Sequence, residues 1–121
     1  MPYTTPVQTV LLTSIFLRQA TAAGVDEDDL QDIVTTIAQD PLGGDIIAGT
    51  GGARKLRHAG RGKGKSGGYR TIHYFGGNDI PIFLLAIYGK DAKSTLTMSE
   101  KNDLAKLLPL IGKSYRKAKR S

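Results

Sequence analysis

Apolar positions along the chain recur with two different periods, and the periods mark out the elements. Val-Gln-Thr-Val-Leu-Leu at residues 7–12 reads as a short strand, and residues 14–22 as a short helix with Thr13 or Ser14 free to cap it. From Asp26 onward Leu30, Ile33, Val34, Ile37 and Ala38 fall on one stripe of a 3.6-residue period, which predicts an amphipathic helix. Asp26, Glu27, Asp28 and Asp29 occupy its first turn, where negative charge suits the helix dipole, and Pro41 with Gly43-Gly44 ends it. Residues 54–58, Arg-Lys-Leu-Arg-His, suit a short strand with a single inward Leu. Residues 69–75 are β-branched and aromatic and alternate roughly, and Gly76-Gly77-Asn78-Asp79 marks a turn. Residues 80–88 make the most apolar strand; both faces read as buried, so it is expected to be central, with Pro81 at its start. Thr97-x-x-Glu100 is a capping-box pattern opening a helix that carries Leu104, Leu107 and Leu108, which Pro109 should end or kink. Residues 113–121 read as a frayed basic tail. The layout β-α-α-β-β-β-α, with short turns between strands, predicts one α+β domain over residues 1–121: an antiparallel sheet with helices on one side.

Composition adds few constraints. The chain has 121 residues, enough for one domain with a small core. It has no cysteine, which excludes disulfides, thiolate metal sites and a cysteine nucleophile. The longest apolar run, Ile80 to Ile87, is eight residues, well short of the roughly 20 of a helical membrane span. No basic residue precedes the first apolar stretch, as a signal peptide requires. A soluble, intracellular, cytoplasmic protein without membrane partners is expected.

Charge changes the picture more. Residues 1–53 carry one base against seven acids, a net of −6, while residues 54–121 carry sixteen bases against four acids, a net of +12. The window 54–70 alone holds Arg54, Lys55, Arg57, Arg61, Lys63, Lys65 and Arg70 and no acid. Like charges about 8 Å apart repel by roughly 2 kcal/mol per pair at an effective dielectric of about 20, before salt screening. A polyanion relieves that repulsion, and phosphate contacts release counterions. Nucleic acid is the expected partner; a solvated basic loop with no partner, or an acidic protein or membrane surface, are the alternatives.

Ala59-x-x-x-x-Gly64-Lys65-Ser66 matches a relaxed phosphate-loop pattern, but Gly67-Gly68-Tyr69 leads into a strand rather than a helix, so nucleotide binding is not expected. His58 and His73 are the only histidines and have no acid cluster beside them, a poor metal site. Neither metal nor cofactor is expected. Cations and tyrosines remain, and they suffice for RNA cleavage by the adjacent 2′-hydroxyl. Clustered cations stabilise the phosphorane, a lysine crowded by cations can serve as general base, and an arginine clamps phosphate. Tyr69, Tyr74 and Tyr88 lie on or beside strands and could stack on bases or fill the core.

Gly49-Thr50-Gly51-Gly52-Ala53-Arg54-Lys55-Leu56-Arg57, then Gly64-Lys65-Ser66-Gly67-Gly68-Tyr69-Arg70, then Leu85-Ala86-Ile87-Tyr88-Gly89-Lys90 and Leu96-Thr97-x-x-Glu100-Lys101 resemble the RelE/HigB branch of the RelE/ParE toxin superfamily, over about Thr9 to Leu108. The resemblance implies a small α+β fold: a curved antiparallel sheet, two N-terminal helices packed on it and a C-terminal helix. It also implies the toxin of a type II toxin–antitoxin pair, an endoribonuclease that cuts mRNA in the ribosomal A site without a metal. The implied partners are the 70S ribosome, mRNA and a cognate antitoxin of the HigA-like, helix-turn-helix kind. By this resemblance Lys55 is the general base, Arg57 binds phosphate and Arg70 stabilises the transition state. Lys90 and Lys93 serve the backbone and the leaving group, with Lys93 the general acid. Arg54, Arg61, Lys63, Lys65 and Tyr69 are expected to touch RNA. Asp91 stands where RelE has an arginine, and Thr97 where RelE has a functional tyrosine that HigB-like members often lack. A ParE-like gyrase inhibitor without chemistry, or an inactive nucleic-acid-binding relative, are the alternatives.

Overall fold

In a computed structural model, which describes residues 9–59, 68–89 and 96–120, the chain is an α+β fold. The elements in order are β1 (Val10–Leu12), α1 (Ser14–Ala22), α2 (Glu27–Gln39), β2 (Asp45–Ile46), β3 (Ala53–His58), β4 (Tyr69–Tyr74), β5 (Ile82–Gly89) and α3 (Met98–Arg120). They form one five-stranded sheet in the order β1-β5-β4-β3-β2. β2 to β5 pair antiparallel, as expected, but β1 lies parallel to β5, so the sheet is mixed. The two-residue β2 was not anticipated; with both residues exposed, it carries no alternating apolar pattern.

Local chemistry sets the helix starts. Thr13 caps α1 by accepting from Phe16 N at 3.2 Å, and its hydroxyl donates to Leu84 O at 2.9 Å, so one side chain joins the helix start to the central strand. Asp26 caps α2 by accepting from Asp29 N at 2.8 Å. Thr97 and Glu100 form the reciprocal capping box of α3, at 2.8 and 3.1 Å. β1 covers β5 only from Ile82 to Leu84. Further along, Gln19 of α1 accepts from Ile87 N at 3.1 Å and so satisfies a donor on that open edge.

Helices cover both faces of the sheet, not one. Phe16, Ala20, Ile33 and Ile37 of α1 and α2 pack with Tyr69, Ile82, Leu84 and Ile87 on one face. Leu108 packs with Ala53, Ile72 and Ala86 on the other, joined by the partly buried Leu104 and Ile111. The apolar run of β5 reflects this double cover. A register shift between Ile72 and His73 matches them to Ala86 and Leu84, so β5 holds one extra residue there.

Neither the break at Pro109 nor a frayed tail from residue 113 is found. α3 runs unbroken to Arg120. Pro109 sits on the solvent side, and contacts on both flanks offset the roughly 3 kcal/mol that an interior proline costs. Leu108 is fully buried, Tyr115 meets Phe83 edge-to-face at 5.8 Å, and Arg116 pairs with Asp79 and donates to Gly76 O at 2.7 Å. No described helix is long and apolar enough to cross a membrane.

Phe16 and Leu108 test the two layers separately. Phe16→Ala should lower unfolding free energy by about 3–5 kcal/mol and Leu108→Ala by about 2–5 kcal/mol, read from urea denaturation. A loss below about 1 kcal/mol at Leu108 would mean that α3 is not docked on the sheet.

Candidate functional site

The β3–β4 ladder decides which cations meet. Ala53, Lys55 and Arg57 stand opposite Tyr74, Ile72 and Arg70, and Arg54, Leu56 and His58 opposite His73, Thr71 and Tyr69. Side chains alternate with period two. Ala53 and Ile72 belong to the α3 layer, and Leu56 and Tyr69 to the α1–α2 layer. Lys55 and Arg70 therefore leave the sheet on the α3 face, and Arg54 on the other; Arg57, near the end of β3, does not join them.

On the α3 face a cavity of about 70 Å³ is lined by Ile47, Lys55, Arg70, Ile72, Tyr88, Leu96 and Lys101. Lys55 and Arg70 lie diagonally on adjacent strands, a relation that puts Cβ atoms about 7–8 Å apart. Lys101 enters from the first turns of α3. All three cations are half-buried, and among the described residues none has a hydrogen-bond or ion-pair partner. Ile47, Ile72 and Leu96 supply apolar wall. Three positive charges around a small, partly dry space repel one another and favour an anion there.

Arg57 stands opposite Arg70 but does not line this cavity. It borders a separate depression of about 410 Å³ against α2, with Asp29, Asp32, His58 and Tyr69 among its lining. Arg54 is turned away from the cavity and engaged elsewhere: its guanidinium donates to Leu42 O at 2.9 Å, bracing the turn after α2. Tyr69 is 4 % exposed, with its hydroxyl 3.4 Å from Asp29 Oδ2, and burial followed by the Asp29 charge pushes its pKa up. A ring so enclosed cannot stack on a base, which corrects that expectation. Arg61, Lys63, Lys65, Lys90 and Lys93 lie outside the described residues.

Lys101, which the family motif includes without a role, also lines the cavity. The signal for it was present. The capping box fixes the start of α3, and 101, 104, 108 and 111 follow helical spacing, so Lys101 shares the sheet-facing stripe of Leu104, Leu108 and Ile111. The glycine-rich run before β3 also has a structural role. Thr50 is fully buried; its hydroxyl donates to Ile47 O at 2.7 Å and accepts from Ala53 N at 3.0 Å. Gly51 and Gly52 have φ of 82° and 118°, conformations that side chains rarely adopt. This turn brings Ile47 to the cavity wall and launches β3.

The model of a family described as the RelE toxin of the RelE/RelB toxin–antitoxin system matches residues 8–120. The chain belongs to the RelE toxin family. The match takes in the whole of α3, and so Lys101. In this RelE-family toxin no group of three His, Cys, Asp or Glu among the described residues stands together to hold a metal ion.

Both histidines lie on the α1–α2 side of the sheet, away from the cavity. His58 Nε2 is 2.8 Å from Thr71 Oγ1, and burial, then the neighbouring His73, depress its pKa to about 4. His73 Nε2 is 2.9 Å from Pro41 O, so this nitrogen carries the proton, and Nδ1 is buried without a partner. Burial lowers the His73 pKa more than the Pro41 carbonyl raises it. An unfolded chain takes up protons on these rings below about pH 6.5, whereas folded His58 resists until about pH 4. The histidine contribution to stability is therefore full above about pH 6.5 and declines as pH falls toward 4. The decline reaches up to about 1.4 kcal/mol per pH unit for one ring. Urea unfolding at several pH values between 7 and 4 should show it, and His58→Gln should flatten it. An unchanged slope in that variant would remove His58 as the cause.

Proposed function

We propose that this RelE-family toxin is a ribosome-dependent mRNA endonuclease that cuts in the A site by 2′-hydroxyl attack and so stops translation. The single observation that carries the reading is the cavity that half-buried Lys55 and Arg70 line together, neither paired among the described residues. In the reaction the 2′-oxygen bonds to the adjacent phosphorus and the bond to the 5′-oxygen breaks, leaving a 2′,3′-cyclic phosphate and a 5′-hydroxyl. Lys55 takes the 2′-hydroxyl proton as general base. Arg70, charged throughout, stabilises the extra negative charge on the non-bridging oxygens. Lys93 returns a proton to the leaving oxygen. The nucleophile belongs to the substrate, so this chemistry needs neither metal nor cofactor. Arg57, exposed near the end of β3 at the edge of the α2 depression, binds a flanking phosphate, and Lys90, Arg61, Lys63 and Lys65 hold message and ribosomal RNA. Arg54 and Tyr69 are left out of the RNA contacts because the fold uses them. The partners are the 70S ribosome, its mRNA and a cognate antitoxin, HigA-like with a helix-turn-helix domain, that masks the basic face; the setting is the cytoplasm.

Cations clustered around a cavity with apolar walls favour chemistry on phosphate over a binder that inhibits gyrase, which has no need of them. Mapping transcript ends after a brief pulse of expression tests the choice. New ends should fall within codons at the ribosomal A site. Arg70→Ala should slow single-turnover cleavage by about 10²–10³-fold and Lys55→Ala by about 10²–10⁴-fold, each with the fold retained. Growth arrest with intact transcripts and damaged DNA would overturn the reading in favour of gyrase inhibition.

A further inference from the structure

The third cation of the cavity has no role in the reaction as described so far. Lys101 projects from the sheet-facing stripe of α3, where Leu104, Leu108 and Ile111 are apolar. A lysine at such a position is half-desolvated and, here, without a carboxylate partner among the described residues. A desolvated cation left unpaired costs free energy that a bound anion returns. The fold also holds its stem in place. The backbone N–H of Lys101 donates to Thr97 O at 3.0 Å in the capped first turn. A Cβ added at Gly49 would come within 3.9 Å of Lys101 Cδ, so the glycine turn runs alongside the stem. Lys106 on the same helix is exposed and does not line the cavity, as an ordinary solvating lysine does.

Building on the nuclease reading, we propose that Lys101 is a catalytic residue: its ammonium contacts the scissile phosphate from the side opposite the sheet and shares with Arg70 the charge that develops in the transition state. The site is thus assembled from three elements, with β3 supplying Lys55, β4 Arg70 and α3 Lys101. Docking of α3 therefore completes the phosphate pocket as well as the core.

Two readouts on purified toxin and programmed ribosomes test this. The first is single-turnover cleavage. Lys101→Ala and Lys101→Met should each lose about 10- to 100-fold in rate, Lys101→Arg should stay within about threefold of wild type, and Lys106→Ala should be unchanged. The second needs no cleavage: binding to ribosomes whose message carries a 2′-deoxynucleotide at the cut position, measured against salt. Removing the Lys101 charge should make the log–log salt slope shallower by about 0.7, the value of one phosphate contact on a single strand. Melting temperatures within a few degrees of wild type confirm that the variants fold. Wild-type rate in Lys101→Met, or an equal loss in Lys101→Arg, overturns the proposal, as does an unaltered salt slope. A wild-type toxin that cuts nothing yet shows the Lys101-dependent slope sinks the nuclease reading and leaves the phosphate contact standing.

Discussion

The register of β3 against β4 is the constraint on which the rest of the molecule depends. Side chains alternate, so a slip of one residue between these strands would exchange the faces of everything on the slipped strand. In the register found, Leu56 and Tyr69 reach the α1–α2 core while Lys55 and Arg70 emerge together under α3. In the slipped register, charges would enter a core that offers them no partner, and each would cost several kcal/mol. The hydrophobic pattern that stabilises the fold is therefore also what collects the cations. The glycine turn before β3 supports the same alignment: the buried Thr50 hydroxyl fixes where the strand begins.

The two faces have separate duties. The α1–α2 face carries large buried side chains and two histidines held neutral by burial, with one depression beside α2 that acidic Asp29 and Asp32 help to line. The α3 face is closed only along the helix, where Leu108, Ile111 and Tyr115 follow one another. Among the described residues the cavity lies at the end where β3 finishes, β4 starts and α3 starts. Charge there is selective rather than generally basic. Arg54 and Arg116 are engaged by backbone carbonyls and, for Arg116, by Asp79, whereas Lys55, Arg70 and Lys101 have no such partner among the described residues. That contrast separates arginines that hold the structure from cations available to a ligand.

What was legible in the sequence was local. Thr13, Asp26 and the Thr97–Glu100 box each cap within three residues, and all three helix starts follow from them. The α2 stripe and the apolar β5 were equally readable. What was not legible depends on distant contacts. Thr13 meets Leu84 across 71 positions, and the parallel pairing of β1 with β5 comes with it. Pro109 predicts an end or a kink because propensity is local, while Tyr115 and Arg116 hold the following turns against Phe83 and Asp79. Within the candidate site, Lys55 and Arg70 are named by the family resemblance, and the β3–β4 register brings both to one cavity. Arg54 and Tyr69 were overrated because a count of cations and aromatics does not say which face each occupies. Lys101 lies outside the basic window of residues 54–70, and only the packing of α3 on the sheet brings it to the cavity.

The central claim is that the α3 face carries the RNA phosphate. A titration of isotope-labelled toxin with a short RNA blocked by a 2′-O-methyl group at the scissile position, followed by nuclear magnetic resonance, addresses it directly. Shifts should concentrate at Lys55, Arg70, Ile72, Tyr88 and Lys101, and the buried amides of α1 and α2 should stay still. Saturable shifts confined to the α2 side, around Asp29, Asp32 and His58, would contradict the account.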